Sequence, residues 1–228
     1  ALIDNNVRSF IFSSSCTVYG QADELPITEN SPVKKAESPY GNTKQIGEEI
    51  LEDVSKSEDL NGIALRYFNP IGAHESAMIG ELPLGVPQNL IPFVTQTAAG
   101  IREELSVFGD DYPTPDGTAV RDYIHVVDLA KAHISALERL LEGRNKSNME
   151  FFNVGTGKGS SVLEVIKAFE RVSGKDLKYR IVGRREGDIT AAFADTSIAN
   201  KELGWKAELT LDDALRSAWK WQERNLEN

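Results

Sequence analysis

Tyr40 and Lys44 are the residues whose types and spacing most directly suggest chemistry. They lie four positions apart in SPYGNTKQ, residues 38–45, and in a helix this spacing places both side chains on one face. A free phenol has a pKa of about 10, but a nearby ammonium favours the phenolate and makes the tyrosine a usable general base. The alternative is an exposed tyrosine and lysine without a chemical role.

The sequence around this pair predicts the helix that carries it. Ser38 is suited to cap a helix, and Pro39 suits its first turn. Apolar residues then recur at helical spacing at Ile46, Ile50, Leu51 and Val54. We therefore expect a helix over Pro39–Ser55 that presents the pair at its start.

A group of hydroxyl side chains follows the first predicted strand, Val7–Ser13. The group consists of Ser13, Ser14, Ser15 and Thr17. It either binds a ligand or relays a proton, or it forms a serine- and threonine-rich turn. Cys16 lies among these residues, and nothing beside it in sequence lowers its pKa, so an inert thiol is expected.

Arginines lie in two further stretches, VRDYIHVVDLA (120–130) and GRREGD (183–188). These stretches carry Arg121, Arg184, Arg185 and Asp188, and the arginines suit bidentate capture of a phosphate. Surface ion pairs are the alternative.

The stretch NVGTGKGSS, residues 153–161, does not have the glycine spacing of a triphosphate-binding loop or of a dinucleotide fingerprint. A tight strand-to-helix turn capped by Ser160 or Ser161 is the better interpretation. The histidines (His74, His125, His133) lack metal-ligand spacing, so no metal site is expected, and His133 is predicted to be packed.

Predicted strands alternate with predicted helices along the chain. Strands are expected at Val7–Ser13, 62–69, 105–109, 150–155 and 177–182, and further helices at Asn89–Gly100, 129–142, Ser161–Val172, Asp195–Leu203 and Leu211–Glu223. This order predicts βαβ units and a largely parallel sheet, in which ligands bind beyond the carboxyl ends of the strands. Three stretches lie at such ends: SSSCTVYG, RYFNPIGAH and NVGTGKGSS.

Composition excludes some functions. With 25 Lys+Arg against 35 Asp+Glu among 228 residues, the net charge is −10, which argues against nucleic-acid binding but permits a small anionic ligand. A single cysteine fits a reducing compartment, and no apolar run approaches the roughly 20 residues of a membrane span. A soluble cytoplasmic protein that does not bind membranes is expected.

Together these stretches resemble the extended short-chain dehydrogenase/reductase family, and within it the UDP-hexose 4-epimerases. The shared motifs, in order, are FSSSCTVYG, SPYGNTK, RYFNPIGAH, PQNLIP, FGDDYPTPDGTAVRDYIHVVDLA and RREGD. The resemblance implies an α/β fold, with a Rossmann-type parallel sheet and a small mixed α/β substrate-binding domain. Residues 1–69 would belong to the NAD-binding domain, and residues 70–228 mainly to the UDP-sugar domain, with segments around 120–155 returning to the former.

The resemblance also implies roles for individual residues. Tyr40 would be the base, Lys44 would hold the nicotinamide ribose and keep Tyr40 acidic, and Ser15 would bind the reacting oxygen. Ser13, Ser14 and Phe68 would contact the cofactor. The UDP-sugar would be held by Ser15, Thr17, Asn69, Asn89, Leu90, Val107, Phe108, Arg121, Arg185, Asp188 and Ala192.

The implied reaction is reversible epimerisation of UDP-glucose and UDP-galactose at C4. A bound NAD takes hydride from C4 while Tyr40 takes the hydroxyl proton, and hydride returns to the other face of a 4-keto sugar. The competing hypotheses are a nucleotide-sugar 4,6-dehydratase or decarboxylase, and a UDP-sugar-binding protein without catalysis. SSSCTVYG has no carboxylate for a dehydratase, and a binding protein needs no base.

The chain departs from the family pattern in two places. The family's glycine-rich dinucleotide loop should precede residue 1 by roughly 100 residues, so the 228 residues alone are expected to bind NAD poorly and to turn over little. Ala192 stands at the position that resembles a gate beside the sugar's 2-position, and its small side chain predicts that an N-acetyl group is accepted. The resemblance further suggests a homodimer packed through helices.

Overall fold

The computed structural model describes residues 1–226, and its helices and strands alternate along most of the chain. The strands are β1 (Ser9–Ser15), β2 (Asn61–Tyr67), β3 (Asn69–Ile71), β4 (Leu105–Phe108), β5 (Val120–His125), β6 (Met149–Val154), β7 (Gly159–Ser161), β8 (Tyr179–Val182) and β9 (Ala191–Ala192). The α-helices are α1 (Pro39–Ser57), α2 (Leu90–Ala98), α3 (Val126–Leu141), α4 (Val162–Ser173), α5 (Ser197–Glu202) and α6 (Leu211–Leu226). The predicted α/β fold class is therefore confirmed.

The chain divides into two compact units. The first unit contains Ala1–Phe68, Leu129–Lys158 and Ala192–Ala207, and the second contains Asn69–Asp128, Gly159–Ala191 and Glu208–Asn228. The prediction that one part binds the cofactor and the other binds the UDP-sugar stays a prediction.

The first unit is built on a parallel sheet in the order β1-β2-β6. Helix α1 begins as the sequence predicts, because the Ser38 hydroxyl accepts a hydrogen bond from the Gly41 amide at 3.1 Å and Pro39 occupies the first turn. Gly47 lets α1 approach the sheet closely, since a Cβ there would lie 2.6 Å from the Phe12 ring. The start of α1 is thereby fixed beside the carboxyl end of β1.

The second unit has one sheet in the order β3-β5-β7, where β3 and β5 are parallel, and a separate parallel pair, β4-β8. Helices α2, α4 and α6 bury an apolar core that includes Val94, Phe169 and Trp219. Ser161 caps α4 in a capping box with Glu164, which confirms the predicted strand-to-helix turn.

The short strands β3, β5, β7 and β9 were not predicted as strands from the sequence. In the described part of the chain, no helix has both the length and the apolar character needed to cross a membrane.

Candidate active site

Tyr40, Ser15 and Lys44 come together in the first unit. The Tyr40 and Ser15 side chains are hydrogen-bonded. The Lys44 ammonium donates to the Ser13 carbonyl at 2.9 Å and lies 5.3 Å from the centroid of the Tyr40 ring. Tyr40 is half exposed, so a ligand can reach it, while Ser15 is only 5 % exposed. The arrangement is a phenol beside a hydroxyl donor and a cation.

The pKa of Tyr40 differs in direction from the sequence-based expectation. Burial raises the pKa of Tyr40, and the nearby Tyr67 raises it further, while the hydrogen bond with Ser15 opposes both. The Lys44 ammonium lies over the ring face and donates to the Ser13 carbonyl. The net direction of the Tyr40 pKa is upward, and its lowering by Lys44 stays a prediction.

Ser13 and Ser14 lie on opposite faces of β1 and have different partners. The Ser13 hydroxyl is 3.0 Å from Nε2 of His133, whose Nδ1 is 2.9 Å from the Leu129 carbonyl. Because a carbonyl only accepts, Nδ1 of His133 donates, and a neutral ring then accepts from Ser13. His133 is thus half-buried and packed by hydrogen bonds that hold Ser13, a role that sequence analysis did not identify.

Ser14 belongs to a buried polar network. It is fully buried, and its hydroxyl donates to Glu48 at 2.5 Å. Glu48 also accepts from Arg66 at 2.9 and 2.6 Å, and Arg66 donates to the Tyr19 hydroxyl at 3.0 Å. The Ser14 side chain is therefore not available to a cofactor while these bonds stand.

The charges in this network stabilise one another. Burial alone would lower the pKa of Arg66, but the hydrogen bonds and charge of Glu48, together with Tyr19, raise it overall. Burial raises the pKa of Tyr19 to about 12, although Arg66 opposes the rise. Tyr19 in turn donates to Asn153 at 2.8 Å.

Two other predicted residues of this unit have positions that matter for a ligand. Phe68 is 3 % exposed, so its ring is part of the core. Thr17 carries a buried hydroxyl oxygen that, within the described residues, has no hydrogen-bond partner. Buried polar atoms are normally paired, so this hydroxyl is suited to a polar atom of a ligand.

The second unit contains a cavity of about 600 Å³. Seven residues that were predicted to hold a UDP-sugar line this cavity: Asn69, Asn89, Leu90, Phe108, Arg121, Arg185 and Asp188. Arg121 donates to Asp188 at 2.9 Å and to the Val120 carbonyl at 2.9 Å. The cavity therefore brings together cationic, amide and apolar groups, which suits a phosphorylated ligand with an aromatic base.

Four predicted substrate residues are absent from the cavity lining: Ser15 and Thr17, which belong to the first unit, and Val107 and Ala192. Val107 is 1 % exposed and packs in the core of the second unit, while its neighbours Ser106 and Phe108 line the cavity. Ala192 is 2 % exposed and belongs to the first unit.

Sequence analysis missed Tyr123 as a cavity residue. It lies on β5, lines the cavity and has a pKa raised by burial to about 12, with Arg121 opposing and Asp188 adding to the rise. Its position two residues after Arg121 could have indicated this role if β5 had been predicted as a strand, since alternate residues of a strand share a face. Arg184, by contrast, binds Asp111 at 2.7 Å and stacks on Tyr112.

In residues 1–226, no group of three or more histidine, cysteine, aspartate or glutamate side chains is arranged to hold a metal ion.

Comparison with known proteins identifies the family. The sequence profile of GDP-mannose 4,6 dehydratase matches residues 2–218. The chain belongs to this family. Several curated relatives are named UDP-glucose 4-epimerase, so the resemblance drawn from the motifs is confirmed. One from Drosophila melanogaster is 52% identical over 99% of this chain, and one from Dictyostelium discoideum is 54% identical over 97% of it.

Solved structures of this family have the same fold. A UDP-glucose 4-epimerase from Stenotrophomonas maltophila, with bound NAD and formylated UDP-arabinopyranose, matches with a TM-score of 0.95 and 51% identity, over 99% of this chain and 66% of that one. Another from Bifidobacterium longum, in complex with NAD+ and UDP, matches with a TM-score of 0.92 and 52% identity, over the same shares. The chain spans 64% of the length of the Drosophila and Dictyostelium relatives.

Proposed function

We propose that the protein is an NAD-dependent UDP-hexose 4-epimerase that interconverts UDP-glucose and UDP-galactose. The observation that carries this proposal is the contact of Tyr40 with Ser15 beside Lys44, at the carboxyl end of β1. A general base must lie within hydrogen-bond reach of the proton that it removes, and the half-exposed phenol of Tyr40 can be reached by a substrate. The names of the relatives support the same assignment.

In this mechanism Tyr40 accepts the proton of the sugar 4-hydroxyl, and Ser15 hydrogen-bonds to the same oxygen. NAD, when bound, supplies reversible oxidation at C4. Tyr40 later returns its proton to the oxygen of the 4-keto sugar, after the sugar has turned to present its other face. The same residue thus acts as base and then as acid.

The residues of the first unit fit the nicotinamide end of NAD. Lys44 carries ammonium donors suited to ribose hydroxyls, and the unpartnered Thr17 oxygen supports a further polar contact with cofactor or substrate. The Ser13 hydroxyl is hydrogen-bonded to His133 and the Phe68 ring is buried in the core. These two residues would therefore contact the cofactor through their main chain or through the exposed edge of the ring. Two of the solved relatives hold NAD, which supports the fit.

The second unit would bind the UDP part of the substrate. Arg121 and Arg185 are suited to the pyrophosphate, and Asp188 is suited to accept from a ribose hydroxyl. Anchoring UDP in this cavity leaves the sugar loosely held. The sugar must be free to rotate between its oxidation at C4 and the reduction that follows. On this proposal the first unit is the NAD-binding part and the second is the UDP-sugar-binding part.

Two other functions are less well supported. The family profile is named for a 4,6-dehydratase, and such chemistry needs an acid/base pair after the first strand, where this chain has Ser13, Ser14, Ser15 and Cys16. A UDP-sugar-binding protein without catalysis would not need Tyr40, Ser15 and Lys44 in contact.

The protein is also proposed to accept UDP-N-acetylhexoses. Ala192 is small and stands at the position that resembles the family's gate beside the sugar's 2-position. Ala192→Tyr should abolish turnover of UDP-N-acetylglucosamine and spare UDP-glucose. Equal loss with both substrates would contradict this specificity.

A cytoplasmic homodimer completes the proposal. Apolar side chains are exposed on the helices of the first unit: Ile46 and Ile50 on α1, and Ile134, Leu137 and Leu141 on α3. Apolar side chains of this kind would be suited to an association surface between copies of the chain. The single cysteine supports a reducing compartment.

The direct test is proton NMR of UDP-glucose incubated with the full-length protein and NAD+. Anomeric signals of UDP-galactose are expected. A 4-keto-6-deoxy product would assign the protein to the dehydratases, and bound UDP without any product would favour a binding protein.

A further inference from the structure

Helix α6 has a polar face that contacts the loop between β3 and α2, residues 72–89. This loop contributes to the lining of the cavity in the second unit. Its core face packs through Leu215 and Trp219. Four other side chains, Ser217, Lys220, Trp221 and Arg224, recur at positions i, i+3, i+4 and i+7, so they form one stripe along the helix.

Each residue of this stripe is hydrogen-bonded to the main chain of the loop or of its start, Ser217 as an acceptor and the other three as donors. Lys220 donates to the Glu75 carbonyl at 2.8 Å, and Arg224 donates to the Ser76 carbonyl at 3.3 Å. The Ser217 hydroxyl accepts from the Ala73 amide at 3.1 Å. The stripe therefore holds the chain from residue 73 onward at several points.

Trp221 makes the contact that lies nearest to the cavity. Its indole Nε1 donates to the Glu81 carbonyl at 2.9 Å. Its ring also lies directly against Gly80, where a Cβ would fall 2.5 Å from the indole Cγ. Trp221 thus holds the main chain of the loop at Gly80 and Glu81. Glu81 itself lines the cavity.

The chain of contacts continues from Glu81 to Asn89. The Asn89 amide donates to the Glu81 carboxylate at 2.8 Å. Asn89 occupies the N-cap position of α2, where an asparagine oxygen usually accepts from the first helical turn, but its side chain makes no such bond. The orientation of Asn89 at the cavity wall is therefore set by Glu81 rather than by its own helix.

We propose that Trp221 and Glu81 are positioning residues that set the affinity of the cavity for the UDP part of a ligand, by fixing Asn89. The inference rests on the proposed function, because it names UDP as the ligand. The loop beyond Glu81 is otherwise weakly held, since Leu82 and Leu84 are 67% and 98% exposed. Loss of the Trp221 contact would therefore leave Asn89 without a fixed partner.

The test measures UDP binding by calorimetry, and KM and kcat for UDP-glucose, in the full-length protein. Trp221→Phe keeps an aromatic side chain beside Gly80 and removes the N–H donor together with part of the indole ring. It should weaken UDP binding by about threefold to tenfold, which is the usual effect of one hydrogen bond. KM should rise by the same factor, with a much smaller change in kcat.

Variants of Glu81 separate positioning from general stability. Glu81→Ala should weaken UDP binding similarly, whereas Glu81→Gln, whose amide oxygen can still accept from Asn89, should restore much of the affinity. In the Glu81→Ala background, Trp221→Phe should cause little further loss, because the same chain of contacts is already broken.

Trp219→Phe is the matched control on the same helix. Trp219 packs edge-on against Phe169 in the core, so this variant should lower the unfolding temperature without changing the Kd for UDP. The inference is overturned if Trp221→Phe binds UDP as tightly as the unaltered protein, if its effect is undiminished in the Glu81→Ala background, or if Trp219→Phe weakens UDP binding equally. Failure of the unaltered protein to bind UDP would overturn the proposed function, and this inference with it.

Discussion

Tyr40 is the single residue on which the proposed chemistry depends most. Its phenol is the group that would exchange a proton with the substrate, and it is half exposed beside Ser15. Tyr40→Phe should lower kcat by about 100-fold to 10,000-fold, the range for loss of a general acid/base. Steady-state assays with UDP-glucose measure this loss.

Tyr179→Phe is the control for this substitution, because Tyr179 is exposed on β8, away from the cavity lining. It should leave kcat unchanged. A Tyr40→Phe variant that keeps most of its activity would rule out Tyr40 as the base.

The contact between Ser15 and Tyr40 predicts a change in pH dependence. Burial raises the pKa of Tyr40, and the Ser15 hydrogen bond is the contact that lowers it. Because the phenolate is the proposed base, activity should rise as the pH rises through this pKa. Ser15→Ala should raise the pKa further and move the rising limb of the kcat profile to higher pH.

Ser15→Thr retains a hydroxyl and should restore the profile toward that of the unaltered protein. A limb that moves to lower pH in Ser15→Ala, or does not move, would contradict the assigned role of the bond.

Seven of the predicted substrate residues line the cavity of the second unit, whereas the sequence did not predict the side-chain direction of every candidate residue. Ser14 and Val107 were included although each lies between two strand neighbours that face the site. Strand side chains alternate between faces, so Ser14 lies on the opposite face from Ser13 and Ser15, and Val107 on the opposite face from Ser106 and Phe108. The face that each residue occupies follows from that alternation once the strand is known.

At the scale of elements, the first unit joins α1 to its sheet through a buried ion pair. Glu48 lies on α1, one turn after Lys44, and binds both Ser14 of β1 and Arg66 of β2. Removing one partner of a buried pair leaves the other charge uncompensated. Glu48→Ala should lower the free energy of unfolding by about 3–5 kcal/mol, as measured by urea denaturation.

Glu49→Ala is the matched control, since Glu49 is the adjacent residue and is exposed. It should change the free energy of unfolding by less than about 0.5 kcal/mol. Equal effects of the two substitutions would contradict the role of the buried pair.

The longer elements could be predicted because each carries a local signal. Ser38 and Ser161 cap their helices as expected, because serine at these positions satisfies free amides. Strand β5 was missed because its residues Arg121 and Asp122 are charged, and Asp122 is nevertheless fully buried. Strands β3 and β7 have three residues each and include Pro70 and Gly159, which disfavour strands. Their pairing depends on tertiary contacts that no local pattern reports.

At the scale of the whole molecule, the proposed homodimer depends on exposed apolar side chains of α1 and α3. Ile50 and Ile134 are 57% and 58% exposed. Substituting both with Glu should convert the dimer to a monomer, because charged groups are poorly tolerated in a buried interface. Light scattering after size-exclusion chromatography measures the mass.

Leu84→Glu is the control, because Leu84 is an even more exposed apolar side chain in the second unit. It should leave the dimer intact. A mass that is unchanged in the double variant, or is already monomeric in the unaltered protein, would contradict the proposed assembly.

The central claim is that the hydrogen at C4 is removed and returned within one active site, with Tyr40 as the proton acceptor. The most direct measurement uses UDP-glucose carrying deuterium at C4, incubated with the full-length protein and NAD+ in ordinary water. The account predicts UDP-galactose that keeps its deuterium at C4, and almost no product with Tyr40→Phe. Loss of the deuterium to solvent, or undiminished product with Tyr40→Phe, would contradict it.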